Sequence, residues 1–243
     1  MAVQFKINDC RVLQPAMKSS RASRLFLLPG EIRNEIYRRV LVLAHPLYLF
    51  QDRGSEKARL LAPRKPTRWL ALLYTNRRLH GEARAVLYQA NRFALVEMTQ
   101  NQANLLHTFL NGIGSINTGH LSHIFISFPA AEEASDQAGE VILKPDSLQT
   151  SKLLQEKCTS LTTLETSVHC QNFEGLTATS YNSDNFQFAR EMLSQVNAHL
   201  KAIPSLGKVL VQVYSGPLTP AVVKLTGGFG WEWSRLGDEG SER

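Results

Sequence analysis

An α/β fold (α+β overall), with a helical front and strand–helix repeats on a mostly parallel sheet, follows from three features of the sequence. A pattern with strand-like alternation recurs in the back half: Leu121-x-x-Ile124-x-Ile126-x-Phe128, Leu161-x-x-Leu164-x-Thr166-x-Val168 and Leu206-x-x-Val209-x-Val211-x-Val213. Helical periodicity fills the intervals between these units, and such succession favours parallel pairing through right-handed crossovers. The front carries two helix-like segments instead, residues 27–41 and 72–93. Hydrophobic residues make up 43% of the 243, enough to bury a core as one large domain or two small ones.

Residues 1–24 mix polar and basic side chains with little periodicity and are expected to form a mobile arm. The first helix should begin near Pro29, whose fixed φ suits a first turn. Glu31 lies in that turn, where the helix dipole favours an anion. Glu35 and Arg39 form an i,i+4 pair, and His45-Pro46 should end the helix, because a residue before proline avoids the α region. The period places Leu28, Ile32, Ile36 and Val40 on one apolar face. Residues 44–68 are charged and broken by Gly54, Pro63 and Pro66, and so predict a basic loop. A second helix is expected over residues 69–89, with Trp69, Leu72, Leu73, Leu79, Ala83, Val86 and Leu87 at helical spacing and Gly81 at a close packing contact. Residues 25–92 thus form a helical region.

From residue 93 to 234 the strand–helix repeats take over. Phe93–Met98 and a helix over residues 100–112 resemble an early copy of the unit. Helices are expected over residues 146–159 and 184–203, and exposed polar loops over 129–145 and 170–183. The Leu-x-x-Leu-x-Leu pattern resembles leucine-rich repeats, although the units begin 40 and 45 residues apart, longer than the usual period. Periodicity alone does not separate such an array from a plain α/β layer. Gly227–Gly230 predicts a glycine turn, with Trp231 and Trp233 capping the last strand, and residues 235–243 predict a flexible tail.

Charge divides the chain. Residues 1–92 hold 18 Lys/Arg against 6 Asp/Glu, and residues 93–243 hold 9 against 15. A basic front attracts acidic partners, either nucleic acid or an acidic protein surface. Arg59, Arg64, Lys65, Arg68, Arg77 and Arg78 are the candidate basic patch, without the aromatic platform or zinc-finger pattern that would mark a nucleic-acid reader. No run of 18 apolar residues predicts a membrane span. The N-terminus lacks the apolar core of a secretory signal. Three cysteines fit free thiols in a reducing compartment, so an intracellular location, cytoplasmic or nuclear, is expected.

Chemistry-bearing motifs are sparse. The glycines at 112, 114 and 119 close a helix and precede a strand, the reverse of a phosphate-binding loop, and read as a helix C-cap. His120-x-x-His123 and His169-Cys170 do not complete a four-ligand metal set. Neither a Gly-x-Ser-x-Gly elbow nor a His-Glu-x-x-His motif occurs. A protein without enzymatic activity, cofactor or metal is expected.

Two segments carry a family resemblance. Leu28-Pro29-x-Glu31-Ile32-Arg33-Asn34-x-Ile36-Tyr37 resembles the opening helix of fungal F-box-like proteins. The stretch LLYTNRRLHGEARAVLYQANRF, ending at Phe93, is similar to that family's second signature. By that resemblance, Leu28, Pro29, Glu31, Ile32, Ile36, Tyr37 and Val40 form the partner-binding face, and the partner is the F-box-binding adaptor of a cullin-type ubiquitin ligase. The repeats would then hold an unknown client, making the chain a substrate receptor. The basic insertion at 44–68 and Tyr74-Thr75-Asn76, in place of a Val-Cys signature, depart from the standard pattern. A basic nucleic-acid-associated binding protein is the alternative expectation.

Overall fold

The computed structural model describes residues 3–4, 24–52, 55, 57–96, 101–134, 141–168, 183–214 and 218–235. In chain order the elements are β1 (Val3–Gln4), α1 (Gly30–Leu41), β2 (Leu47–Gln51), β3 (Ala58–Leu61), α2 (Arg77–Ala90), β4 (Phe93–Leu95), α3 (Gln102–Ile113), α4 (Ser115–Thr118), β5 (His123–Ser127), β6 (Ala131–Glu133), β7 (Val141–Leu143), α5 (Pro145–Lys157), β8 (Thr163–Val168), α6 (Ser183–Lys201), β9 (Lys208–Val213), α7 (Pro220–Phe229) and β10 (Trp231–Arg235). Eight strands form one sheet in the order β1-β3-β2-β4-β5-β8-β9-β10. From β2 to β10 every neighbouring pair is parallel, and only the β3 and β1 pairings at one edge are antiparallel.

The repeated units meet in register. Ile124 pairs with Leu164 and Leu164 with Val209; Ile126, Thr166 and Val211 form the next row. The first row runs on through Phe93 to Leu47 on one side and to Trp231 on the other. Apart from Thr166, these side chains join the buried residues of the helices in one hydrophobic core. Tyr88 of α2 and Phe109 of α3 both stack near Phe93, at ring-centroid distances of 5.7 and 5.5 Å. Period-2 alternation sends the remaining strand residues to the second face. There Leu61, Tyr48, Ala94, Phe125, Glu165, Leu210 and Glu232 form a continuous row. None of these belongs to the hydrophobic core.

Several expectations need correction. Residues 44–68 are not simply a loop. Leu47, Leu49 and Leu60 alternate with polar or half-exposed neighbours and are buried, so the segment forms the β2–β3 hairpin. Parallel pairing of β2 with β4 then carries the sheet across the expected boundary at residue 92. Residues 129–145 contain the antiparallel ribbon β6–β7, with Val141 and Leu143 buried. The helix expected over residues 69–89 breaks at Asn76. This residue takes extended backbone and accepts the Leu79 N–H as an N-cap, leaving a 3-10 turn at Ala71–Tyr74 before α2. A Cβ on Gly81 would meet nothing within 4 Å, so no close contact requires that glycine.

α1 ends at Leu41, before His45-Pro46. The Asn91 side chain accepts the Leu43 N–H and donates to the Leu41 and Leu87 carbonyls, which turns the chain toward β2. Near the C-terminus, Gly227 and Gly228 are helical rather than part of a turn. Thr219 caps the start of α7 through the Val222 N–H, and Gly230, at φ 81°, closes it. Trp231 and Trp233 are residues of β10 itself. Gly114, at φ 79°, caps α3 as the glycine pattern suggested. Of the expected N-terminal arm, β1 pairs with β3; residues 5–23, the loop 170–182, His169-Cys170 and residues 236–243 lie outside the described residues.

Candidate functional site

α1 is anchored by a polar clasp. Its buried residues are Arg33, Tyr37 and Leu41, one every helical turn. Arg33 donates from Nε to Glu82 Oε2 at 2.8 Å and from Nη2 to Oε1 at 2.9 Å, a bidentate pair. The Tyr37 hydroxyl donates to Glu82 Oε2 at 2.8 Å, and Arg78 Nε reaches Oε1 at 3.2 Å. The Arg33 hydrogen bonds, assisted by those of Tyr37 and Arg78, hold the Glu82 carboxyl at about 2, against the opposing effect of burial. Burial, followed by the bond to Glu82, pushes the Tyr37 hydroxyl up. Arg33 Nη1 also donates to the Leu28 carbonyl at 2.6 Å, fixing the Leu28-Pro29 entry to the helix.

The adjoining stripe of α1, about 100° round the helix from the buried positions, stays outside the core. Leu27 is 76% exposed, Ile32 50%, and Leu28 and Val40 36% each. Ile36 is half-buried, and Pro29 and Glu31 are exposed. Leu28, Ile32, Ile36 and Val40 all stay outside the hydrophobic core. Tyr37, expected on the partner-binding face, is fully buried and hydrogen-bonded to Glu82, so it belongs to the clasp. Of the four apolar positions expected from periodicity, Ile32, Ile36 and Val40 recur every fourth residue of α1, whereas Leu28 precedes the helix.

The two signature-like segments therefore meet physically. Arg33 and Tyr37 come from the first; Glu82, Ala83, Leu87, Tyr88, Asn91 and Phe93 come from the second. Ala83, Leu87, Tyr88, Asn91 and Phe93 are buried. Sequence reasoning missed the clasp because an inward arginine has no rationale until a carboxylate 49 residues later is placed beside it. The available signal was the i, i+4, i+8 spacing of Arg33, Tyr37 and Leu41.

The six basic residues do not act as one free patch. Arg59, on β3, pairs with Asp52 at 3.0 Å. Arg78 pairs with Glu82, and its guanidinium lies 5.0 Å from the centre of the Phe26 ring. Arg64, Lys65, Arg68 and Arg77 form no ion pair with the described residues, and all but the half-buried Lys65 are exposed. Arg64 and Arg68 adopt left-handed backbone, φ 51° and 56°.

A second polar group, missed from sequence, sits on the second face of the sheet. Glu165, 2% exposed, accepts Gln212 Nε2 at 2.6 Å and Arg92 Nη2 at 3.3 Å on Oε1. Its Oε2 lies 3.0 Å from His123 Nε2 and 3.2 Å from Arg92 Nε. Alternation identifies the face of Glu165 but not the three side chains that cover it. Half-buried Tyr48, Phe50 and Phe125 continue this face toward the hairpin.

No family model matches the chain, and comparisons with curated proteins and with solved structures find no match. No helix among the described residues is long and apolar enough to cross a membrane.

Proposed function

We propose that this protein is a non-enzymatic interaction adaptor, an F-box-like substrate receptor whose α1 docks on the adaptor of a cullin-type ubiquitin ligase. One observation carries the reading: Ile32 and Val40 of α1, with Leu27 and Leu28 just before it, stand outside the core although other residues of the helix make its anchorage. A rigidly held apolar helix face suits helix-in-groove recognition. The strand–helix succession is read as a leucine-rich-repeat-like array, and the half-buried Tyr48, Phe125 and Leu210 on its second face as part of the surface for a client. Tethering both partners raises the effective concentration of the reacting pair without any chemistry by this chain.

The test is direct binding of the full chain to purified adaptor by biolayer interferometry, with wild type and an Ile32→Asp variant. Saturable binding that weakens by about tenfold or more in the variant supports the proposal, because a charge must then be desolvated in an apolar contact. Absent binding, or equal binding by both proteins, defeats it. A second reading, association with nucleic acid, rests on Arg64, Lys65, Arg68 and Arg77. It requires retention on DNA that collapses between low and moderate salt.

A further inference from the structure

We infer that the cleft between α3 and the β2–β3 hairpin is a binding site for a small amphipathic carboxylate. The cleft has a volume of about 370 Å³, within the range of about 300–1,000 Å³ usual for small-molecule sites. Its apolar lining comes from Leu49 and Leu60 of the hairpin and from Phe109 and Ile113 of α3. A Cβ on Gly112, which also lines the cleft, would meet nothing within 4 Å, so the helix leaves open space there.

Among the described residues the charged side chains of the lining are basic: Lys57 and Arg59 line the cleft beside His107, and no aspartate or glutamate does. Asp52 neutralises Arg59 from outside the lining, whereas Lys57 forms no ion pair among the described residues. Lys157 Nζ donates to Asn111 Oδ1 at 3.1 Å and brings a further ammonium to the same rim. The negative end of α3 is partly quenched: Gly114 N–H and Thr118 Oγ1 take the Leu110 carbonyl, and Asn117 Nδ2 takes that of Ile113. An apolar floor under a cationic rim selects a ligand with a hydrocarbon or aryl body and a carboxylate head. The site is separate from the α1 face and does not depend on the proposed function.

Calorimetric titration of the full chain with octanoate, and with octan-1-ol as the uncharged counterpart, tests the assignment. Octanoate should saturate a single site, with octan-1-ol about tenfold weaker or worse, the factor for losing one charge-assisted contact. Lys57→Glu should weaken octanoate by a similar factor, and Gly112→Trp should abolish binding by filling the space. Amide chemical-shift changes in the wild-type protein should centre on residues 57–60 and 107–113, a readout that survives if a variant fails to fold. Absence of saturable octanoate binding, equal affinity for the alcohol, or shifts centred elsewhere would overturn the inference.

Discussion

Replacing Glu82 by glutamine removes the charge at the centre of the α1–α2 clasp while keeping its shape. In the wild type this carboxylate takes four hydrogen bonds, from Arg33 (two), Tyr37 and Arg78, with its side chain 26% exposed. Its pKa falls from 4.5 to about 2, a difference worth about 3 kcal/mol if undiluted. Solvent screening of a carboxylate near the surface reduces this to about 2 kcal/mol. Leaving Arg33 nearly buried without its counter-charge points the same way. Glu82→Gln should therefore lower the unfolding free energy by about 2 kcal/mol at pH 7, or the melting temperature by about 4–8 °C for a chain of this size.

The pH dependence gives a second check. A carboxyl whose folded pKa is depressed stabilises the fold fully above its unfolded value and loses that contribution as pH falls through the folded value. The gap between wild type and Glu82→Gln should be complete above about pH 4.5 and close toward pH 2, the window set by the Glu82 shift. Urea unfolding at neutral and at acid pH, followed by far-UV circular dichroism, measures it. Equal midpoints at pH 7, or a gap that does not shrink in acid, would refute an ionic clasp. On the proposed function, the same variant should also weaken adaptor binding without touching the exposed face, because the helix that displays it is less firmly set.

Other substitutions probe neighbouring parts. Asn91→Ala leaves the Leu43 N–H and the Leu41 and Leu87 carbonyls without their shared partner and should cost about 2–4 kcal/mol by chemical denaturation. The Tyr88 hydroxyl is buried and has no hydrogen-bond partner among the described residues, so Tyr88→Phe should raise stability by up to about 1 kcal/mol; a clear loss would reveal a partner. Burial pushes the Cys158 thiol up to about 12, and peptide mapping should find it unalkylated by iodoacetamide at pH 8 until urea unfolds the chain. Ile32→Asp, at a half-exposed position, should change stability by no more than about 0.5 kcal/mol, which separates its effect on binding from any effect on folding.

The parallel part of the sheet was legible because each of its repeated strands carries two or three apolar residues at period 2, and the intervening helices announce themselves by spacing. The hairpin was not, because its apolar residues lie among Lys57, Arg59, other charged side chains and three prolines, which dominate any composition-based view of residues 44–68. Leu47, Leu49 and Leu60 acquire meaning only when β4 supplies a neighbour for β2. The α1 face was half legible. Period 3.6 identifies Leu28, Ile32, Ile36 and Val40 as one stripe but does not say whether it points inward. That choice is made by Arg33 and Tyr37, whose partner lies in another helix. Glu165 follows the same rule: its strand position gives its face, and residues from three other places in the chain bury it.

The orientation of α1 bears directly on the proposed function. An amphipathic helix left to folding alone turns its apolar stripe inward, where full burial of a Leu or Ile side chain is worth about 1.5–3 kcal/mol. Here an arginine, a tyrosine and a leucine occupy the inward positions, and Leu28, Ile32 and Val40 do not. Inverting the helix would gain that apolar burial only by stripping Glu82 of two partners and exposing the Leu41 side chain to water. The clasp therefore makes the outward stripe the stable arrangement of the free chain. Single exposed leucines are ordinary on protein surfaces, but aligned apolar side chains on one fixed helix leave a favourable contact unmade. A partner that covers them gains their burial without first reorganising the helix, so the ordering cost has been met within the fold. Adaptor affinity should accordingly track the integrity of Arg33–Glu82–Tyr37 as closely as the exposed residues themselves. A variant that breaks the clasp, stays folded and binds the adaptor at full strength would contradict this coupling.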